Sequence, residues 1–362
     1  MRAAVLHAFE QPLVVEELDL DPPKAGELQV RMAASGVCHS DLHVAQGIHP
    51  TDLPVVLGHE GAGIVEDVGP GVSGFAPGDH VLLTWLPYCG HCRQCVRGWP
   101  NRCENTAWYD STMEDGSCRF HSNGQAVHHY NTSSFAEHSV VPARTAVKVD
   151  PSLPLTELAL MGCAVMTGVG AVLHTAHVRP GDTVAVVGCG GVGLNVVQGA
   201  RIAGATTIVA VDLMSAKLEL ARELGATDVV DASGGDPVAA VHDVVPGGVD
   251  HAFEALGRAE TIETTIALTG RGGQAVLIGM APPEARIPLD ALTTTLEERC
   301  IRGSWYGSCV PLRDLPFLVE LYRNGSLRLD PLITPCTLDD VNDAFRRMEA
   351  RETARSVIVY DV

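Results

Sequence analysis

The stretch Thr183–Gly193, TVAVVGCGGVG, decides the fold. From Thr183 to Val187 it is an apolar, β-branched run of the kind that forms a buried strand. Gly188, Gly190 and Gly193 follow in G-x-G-x-x-G spacing, with Gly191 and Val192 between them, where strand passes into helix. Glycines let backbone N–H groups approach a pyrophosphate, and the start of the helix offers its positive dipole end to the anion. The expectation is a dinucleotide-binding turn.

Outward from the turn toward the C-terminus, strands and helices alternate. A helix over Val192–Ala203 leads to the strand TIVAVD, the helix SAKLELARELGA and the strand DVVD from Asp228. A short helix near 237–245, the strand VDHAFEAL, a helix over 259–269 and the strand GQAVLIG follow. This alternation specifies a parallel, doubly wound α/β sheet. Asp212 ends the second strand 19 residues past Gly193, where a carboxylate would bond the adenosine ribose hydroxyls and repel a 2′-phosphate. NAD is therefore expected over NADP, with Lys217 beside the same ribose. Beyond a loop-rich stretch, helices are expected over 314–324 and 338–349, the second opened by a capping box of Thr337 and Asp340. The final strand, SVIVYDV, has the β-rich character of the N-terminal part and is expected to return there.

Upstream, residues 1–34 alternate like strands, in AAVLHAF, LVVEELDL and ELQVRMAAS. Then come GVCHSDLH and VVLGHEGAGIVEDVG, which carry Cys38 and His59, both suited to a borderline-soft metal; Asp41 and Glu60 would orient or supplement them. Singly, such a Cys or His reads as an ordinary buried or surface residue, so a third ligand is needed. Cys163, on an apolar helical stretch where the β-rich part meets the nucleotide unit, is the candidate; on spacing alone it also reads as a buried structural thiol. CGHCRQCVRGWPNRC, Cys89–Cys103, has C-x2-C-x2-C-x7-C spacing, enough for Cys89, Cys92, Cys95 and Cys103 to close a tetrahedral structural zinc site without His91. The stretch 104–141 reads as loops and short strands, and His121, His128, His129 and His138 within it as solvated or structural.

With 362 residues the chain exceeds the usual span of one hydrophobic core, so two domains are expected. A net charge of -19 with no basic run argues against nucleic acid as a partner. The N-terminus has no extended apolar core or small-residue cleavage site, and no run reaches about 18 apolar residues, so a cytoplasmic protein with no membrane partner is expected. The 11 cysteines are odd in number, and four crowd into one loop, which favours metal over disulfides.

GVCHSDLH, GHEGAG, the four-cysteine loop, MGCAVMTG, GCGGVG and VDLMSAK together resemble the zinc-dependent medium-chain alcohol dehydrogenases, in motif order and along the whole chain. The resemblance implies a GroES-like catalytic domain (1–164, completed by 306–362) and a Rossmann domain (165–305). It implies two zinc ions per chain: a catalytic one on Cys38, His59 and Cys163 with an open fourth position, and a structural one on the four-cysteine loop. The family's Cys2His catalytic zinc is itself a standard example. By resemblance, Asp41 orients His59 and Glu60 is the acidic neighbour of the metal. Ser40 bonds the substrate oxygen, and His43 passes the proton to solvent through the nicotinamide ribose. Thr167 touches the nicotinamide side, and Arg355 pairs with the pyrophosphate. His39 stands where an Arg often contacts the pyrophosphate, so weaker coenzyme binding and faster release are expected. Trp85 occupies a substrate-channel position and narrows it. The implied activity is reversible NAD-linked oxidation of a primary or secondary alcohol by a homodimer or homotetramer. A formaldehyde dehydrogenase acting on a glutathione or mycothiol adduct is the enzymatic alternative, with MEDGSCRF compatible with either. A non-catalytic zinc-binding interaction protein is the remote one.

Overall fold

The computed structural model of the chain describes residues 1–105 and 111–361. Residues 106–110, part of the loop-rich stretch 104–141, and Val362, at the end of the expected last strand, lie outside the described residues. The chain divides into two compact units: Met1–Cys163 with Val310–Arg323 and Leu332–Val362, and Ala164–Cys309 with Asn324–Pro331.

In the first unit the long strand Glu27–Val37 is almost continuously buried. It lies inside a seven-stranded sheet ordered Ala146–Lys148, His80–Leu83, Glu60–Val68, Glu27–Val37, Arg355–Val359, Ile333–Cys336, with His138–Pro142 also pairing to Glu27–Val37. Both flanking strands run antiparallel to it. Gly36 lies opposite Glu60 on one side, and Val37 opposite Ser356 on the other. The end of this strand therefore brings together three distant pieces of chain, and Cys38 is the next residue. A second sheet of six strands includes Arg2–Leu6 and Gln125–His129. Apolar residues such as Leu28, Met32, Leu57, Phe135 and Ile358 form a common core. The helix Val341–Glu349 adds Val341, Ala344, Phe345 and Met348, a single face at helical spacing. The expected capping box opens its approach: the Asp340 carboxylate accepts from the Thr337 N–H at 3.0 Å and hydroxyl at 2.7 Å. Leu338–Asp340 is a 3-10 turn, and the α-helix proper begins at Val341.

The second unit holds a six-stranded parallel sheet in the order Asp228–Asp231, Thr207–Asp212, Thr183–Val187, Val249–Glu254, Thr269–Leu277, Cys300–Gly303. In chain order that is 3-2-1-4-5-6, the doubly wound Rossmann arrangement, with order reversing at Thr183–Val187. Helices Gly191–Ala203, Ser215–Leu224, Pro237–Val244 and Ala259–Leu268 connect its strands. Asp236 shows how they start: its carboxylate accepts from Val238 N–H at 2.9 Å, and Pro237 takes the first position, where no N–H is needed.

Three expectations need correction. Tyr306–Cys309 and Asn324–Pro331 pack with the second unit, whereas they were expected in the catalytic domain. Gln198 explains the latter: its amide donates to the Arg328 carbonyl at 2.9 Å and accepts from the Arg328 N–H at 2.8 Å, tying the segment to helix Gly191–Ala203. Cys163 does not lie within a helix but ends the 3-10 turn Ala159–Gly162, before helix Ala164–Gly170 begins. Among the described residues no single helix is long and apolar enough to cross a membrane.

Candidate metal and nucleotide sites

Cys38 caps the short helix His39–Ala45, and Asp41 in its first turn is wholly buried. The Asp41 carboxylate accepts three bonds: from Cys38 N–H at 3.2 Å, from Gly58 N–H at 3.1 Å and from His59 Nδ1 at 2.9 Å. The last bond places the imidazole proton on Nδ1 and leaves Nε2 as a lone-pair donor. The thiols of Cys38 and Cys163, the imidazole of His59 and the carboxylate of Glu60 lie with their donor atoms within 4.8 Å of one another, all buried. Gly162 brings Cys163 in: a Cβ there would stand 2.4 Å from the Leu83 carbonyl oxygen, so only glycine packs flush against that strand.

The donors hold their protons unequally, and the Cys38 hydrogen bond and burial push the Cys163 thiol well up. Cys163's hydrogen bond, then the charges of Arg355 and His59, hold the Cys38 thiol well below its ordinary range against the opposing effect of burial. Burial drives the His59 imidazole toward neutrality, but Asp41 and Cys38 outweigh it and hold its proton affinity up. Burial pushes the Glu60 carboxyl up to about 7, against the pull of Arg355 3.5 Å away. Neither carboxylate oxygen of Glu60 has a hydrogen-bond partner. Gly36 makes room for it, since a Cβ there would fall 2.0 Å from Oε2. Two thiols, one oriented imidazole and a buried carboxylate without a hydrogen-bond partner fit an N/S zinc site with a place for substrate.

The second cluster is the loop Cys89–Cys103, whose four Sγ atoms also lie within 4.8 Å of one another. Backbone N–H groups of Cys89, Cys92, Cys95, Glu104 and Asn105 point at these sulfurs, at 3.3–3.5 Å. N–H donors favour thiolate over thiol, and they hold Cys92 at about 6. Four thiolates leave no open position, so this donor set suits a structural zinc.

In the second unit each glycine of the turn has its own reason. Gly188 has φ +94, open to glycine alone without strain. A Cβ on Gly193 would lie 1.8 Å from the Gly188 carbonyl oxygen, so helix and strand meet only without it. At Gly190 a Cβ would meet nothing within 4 Å, which leaves the open face a phosphate needs. Asp212 closes the turn from the next strand, accepting from Cys189 N–H at 2.7 Å and from Leu213 and Met214 N–H at 2.8 and 3.0 Å.

Residues 24–151 match the alcohol dehydrogenase GroES-like domain, and residues 191–323 match the zinc-binding dehydrogenase domain. The chain is 39% identical to an NDMA-dependent alcohol dehydrogenase of Amycolatopsis methanolica over 99% of its length and 98% of the relative's. It is 41% identical to an S-(hydroxymethyl)glutathione dehydrogenase of Escherichia coli, over 99% of both. The crystal structure of benzyl alcohol dehydrogenase from Acinetobacter calcoaceticus superposes with a TM-score of 0.95 at 32% identity, over 99% of both chains. The chain is a zinc-binding medium-chain alcohol dehydrogenase by family. It is an oxidoreductase of GroES-like plus Rossmann architecture.

In this dehydrogenase Ser40 lies beside the metal cluster, its Oγ 3.9 Å from Cys38 Sγ. His43 is half-buried in the last turn of the same helix, and His39 is exposed at its start. Arg355, given to the pyrophosphate by resemblance, is 5% exposed in the first unit; it faces Glu60 and donates to the Val37 carbonyl at 3.0 Å. Thr167 lies in helix Ala164–Gly170, and Lys217 in helix Ser215–Leu224, where its charge acts on Cys189 beside Asp212. Trp85 stands edge-on to His59, ring centroids 6.4 Å apart. Sequence reasoning missed Tyr130, whose ring flanks His59 from 6.1 Å, also edge-on. It lies inside the loop-rich stretch, where no spacing links it to GHEGAG. Of the four histidines there, His129 is fully buried and structural: its Nε2 accepts from Arg119 N–H at 3.0 Å, and burial pushes it down to about 3. His138 pairs with Glu66 at 2.8 Å.

Proposed function

We propose that the chain is a zinc-dependent, NAD-linked alcohol dehydrogenase that interconverts a primary or secondary alcohol with its aldehyde or ketone. The observation that carries this is the buried Cys38–His59–Cys163 donor set with Glu60 beside it, in a chain whose glycine turn is closed by Asp212 from the next strand. Cys38, His59 and Cys163 would hold the catalytic zinc, and Cys89, Cys92, Cys95 and Cys103 the structural one. Bound zinc supplies Lewis acidity at the alcohol oxygen, and bound NAD supplies the hydride acceptor. Ser40 takes the hydroxyl proton and His43 carries it onward. Asp41 keeps His59 in the tautomer that ligates, while Trp85 and Tyr130 wall the site and keep water from it. The Asp212 carboxylate bonds the ribose and repels a 2′-phosphate, which supports NAD over NADP. Arg355 balances Glu60. A homodimer or homotetramer is the proposed assembly.

A second reading, oxidation of the formaldehyde adduct of glutathione or mycothiol, is favoured by the Escherichia coli relative. The test is a screen of aliphatic, allylic and benzylic alcohols with NAD and with NADP, and of formaldehyde with and without each thiol, following reduced coenzyme. Each arm is repeated with NDMA, on which the Amycolatopsis relative depends by its name, following loss of NDMA and formation of the carbonyl product. Turnover of free alcohols with NAD alone is the expected result. Turnover confined to thiol plus formaldehyde establishes the second reading, and turnover only with NDMA shows that reduced coenzyme is re-oxidised by an external acceptor.

A further inference from the structure

We propose that His49 extends the proton path: it receives the proton from His43 and delivers it to solvent, so that proton release runs over two imidazoles. The inference rests on the alcohol-oxidation reading given above.

Helix His39–Ala45 ends one turn after the metal-site residues, and the chain folds back on it at Gly47, where φ is +71. The His43 carbonyl accepts from both Ile48 N–H at 2.8 Å and His49 N–H at 3.3 Å, which fixes His49 alongside His43. Their rings stand edge to face, centroids 5.5 Å apart at 64°. His43 Nδ1 and His49 Nε2 are each enclosed and without a hydrogen-bond partner. Enclosed nitrogens with no partner are a cost that two apolar rings would not carry, so packing alone does not explain two histidines. With the centroids 5.5 Å apart, a bridging water or a ring rotation would be needed to join the nitrogens.

The titratable groups acting on His43 are His49 and the Cys38 thiol, with the His39 ring 6.3 Å away; burial, the largest effect, and His49 hold its proton affinity down. Burial does the same for His49. Both imidazoles are therefore neutral at neutral pH, free to accept and pass on a proton. Bound NAD would supply the acceptor for the C–H electron pair as hydride, and the O–H proton reaches His43 through Ser40. The new N–H bond on His43 then breaks as one forms on His49, and His49 releases the proton to water.

The test uses the full-length, zinc-loaded chain with His49→Gln and His49→Phe. The first measurement needs no turnover: the imidazole C–H signals of labelled histidine are titrated by NMR. Removing His49 takes a positive neighbour from His43, so the His43 midpoint rises; an unmoved midpoint overturns the pairing. The second is the rate of proton release during the first turnover with an alcohol, read with a pH indicator at low buffer. Expected is about a tenfold slowing in His49→Phe that added imidazole reverses, with KM for the alcohol unchanged. Unchanged proton release in a variant that still oxidises alcohol overturns the relay alone. Failure of the unsubstituted chain to oxidise any alcohol overturns the dehydrogenase reading and the relay with it. If His49→Phe does not fold, His49→Gln carries both measurements.

Discussion

Asp41 has two oxygens and three donors, and each donor belongs to a different part of the metal site: Cys38 N–H, Gly58 N–H and His59 Nδ1. An amide in its place keeps the volume but turns one acceptor into a donor facing N–H groups. Asp41→Asn is therefore expected to lower catalytic-site zinc affinity roughly 10- to 100-fold, as measured by competition with a chromophoric chelator, while the four-cysteine site keeps its metal. Equal affinity would show that His59 is oriented by something else. His129 gives a stability prediction. Its folded proton affinity, about 3, lies below the ordinary imidazole value of ~6.5, so on acidification the unfolded chain takes up the proton first. Stability held above that ordinary value drains away as pH falls toward about 3, by on the order of a few kcal/mol. Urea unfolding of the wild-type chain should weaken more steeply between pH 6.5 and 4.5 than that of His129→Gln; parallel slopes would refute the assignment. Both residues show what sequence carries at this scale. Asp41 was legible because it shares a short motif with Cys38, whereas the burial of His129, the flanking of His59 by Tyr130 and the pairing of Arg355 with Glu60 depend on contacts between distant segments.

A strand, three glycines and a helix make the nucleotide turn, and the glycines can be separated by experiment because their surroundings differ. Gly190 is open, with φ -83 and nothing within 4 Å of a would-be Cβ, while Gly193 would drive a Cβ to 1.8 Å from the Gly188 carbonyl. Gly190→Ala should leave the melting temperature unchanged and weaken NADH binding by roughly tenfold, the worth of about one backbone–phosphate hydrogen bond. Gly193→Ala should instead destabilise the unit by about 1–3 kcal/mol, read as a lowered melting temperature. If both variants behaved alike, the division of labour within the turn would be wrong. Elements of this kind were legible because their signals are local: β-branched runs, glycine spacing, a capping box and an acidic strand end. The apolar stretch after Pro151 was not. Its helical period runs through Cys163, yet the helix is interrupted there, beside the close approach of Gly162 to the Leu83 carbonyl of another segment.

At the scale of the whole chain, the first unit is interrupted twice and completed by its C-terminal strand, which pairs with Glu27–Val37 beside the metal cluster. That return was foreseen from the β-rich tail, but the exchange of Asn324–Pro331 into the second unit was not, because it rests on Gln198 reaching Arg328. Both metal clusters are built entirely from first-unit residues, and the glycine turn with Asp212 entirely from second-unit residues. Each unit also has its own apolar core. Metal loss and nucleotide binding are thus expected to be separable. Treating the full-length chain with a strong chelator should abolish alcohol turnover and expose the loop Cys89–Cys103 to hydrogen exchange, because on the proposed assignment four thiolates would lose the ion that neutralises them. NADH binding, followed by fluorescence titration, should stay within about threefold, since Gly188, Gly190 and the Asp212 carboxylate keep their second-unit hydrogen bonds and backbone geometry. Loss of NADH binding in step with zinc would mean that the turn depends on the first unit for its shape.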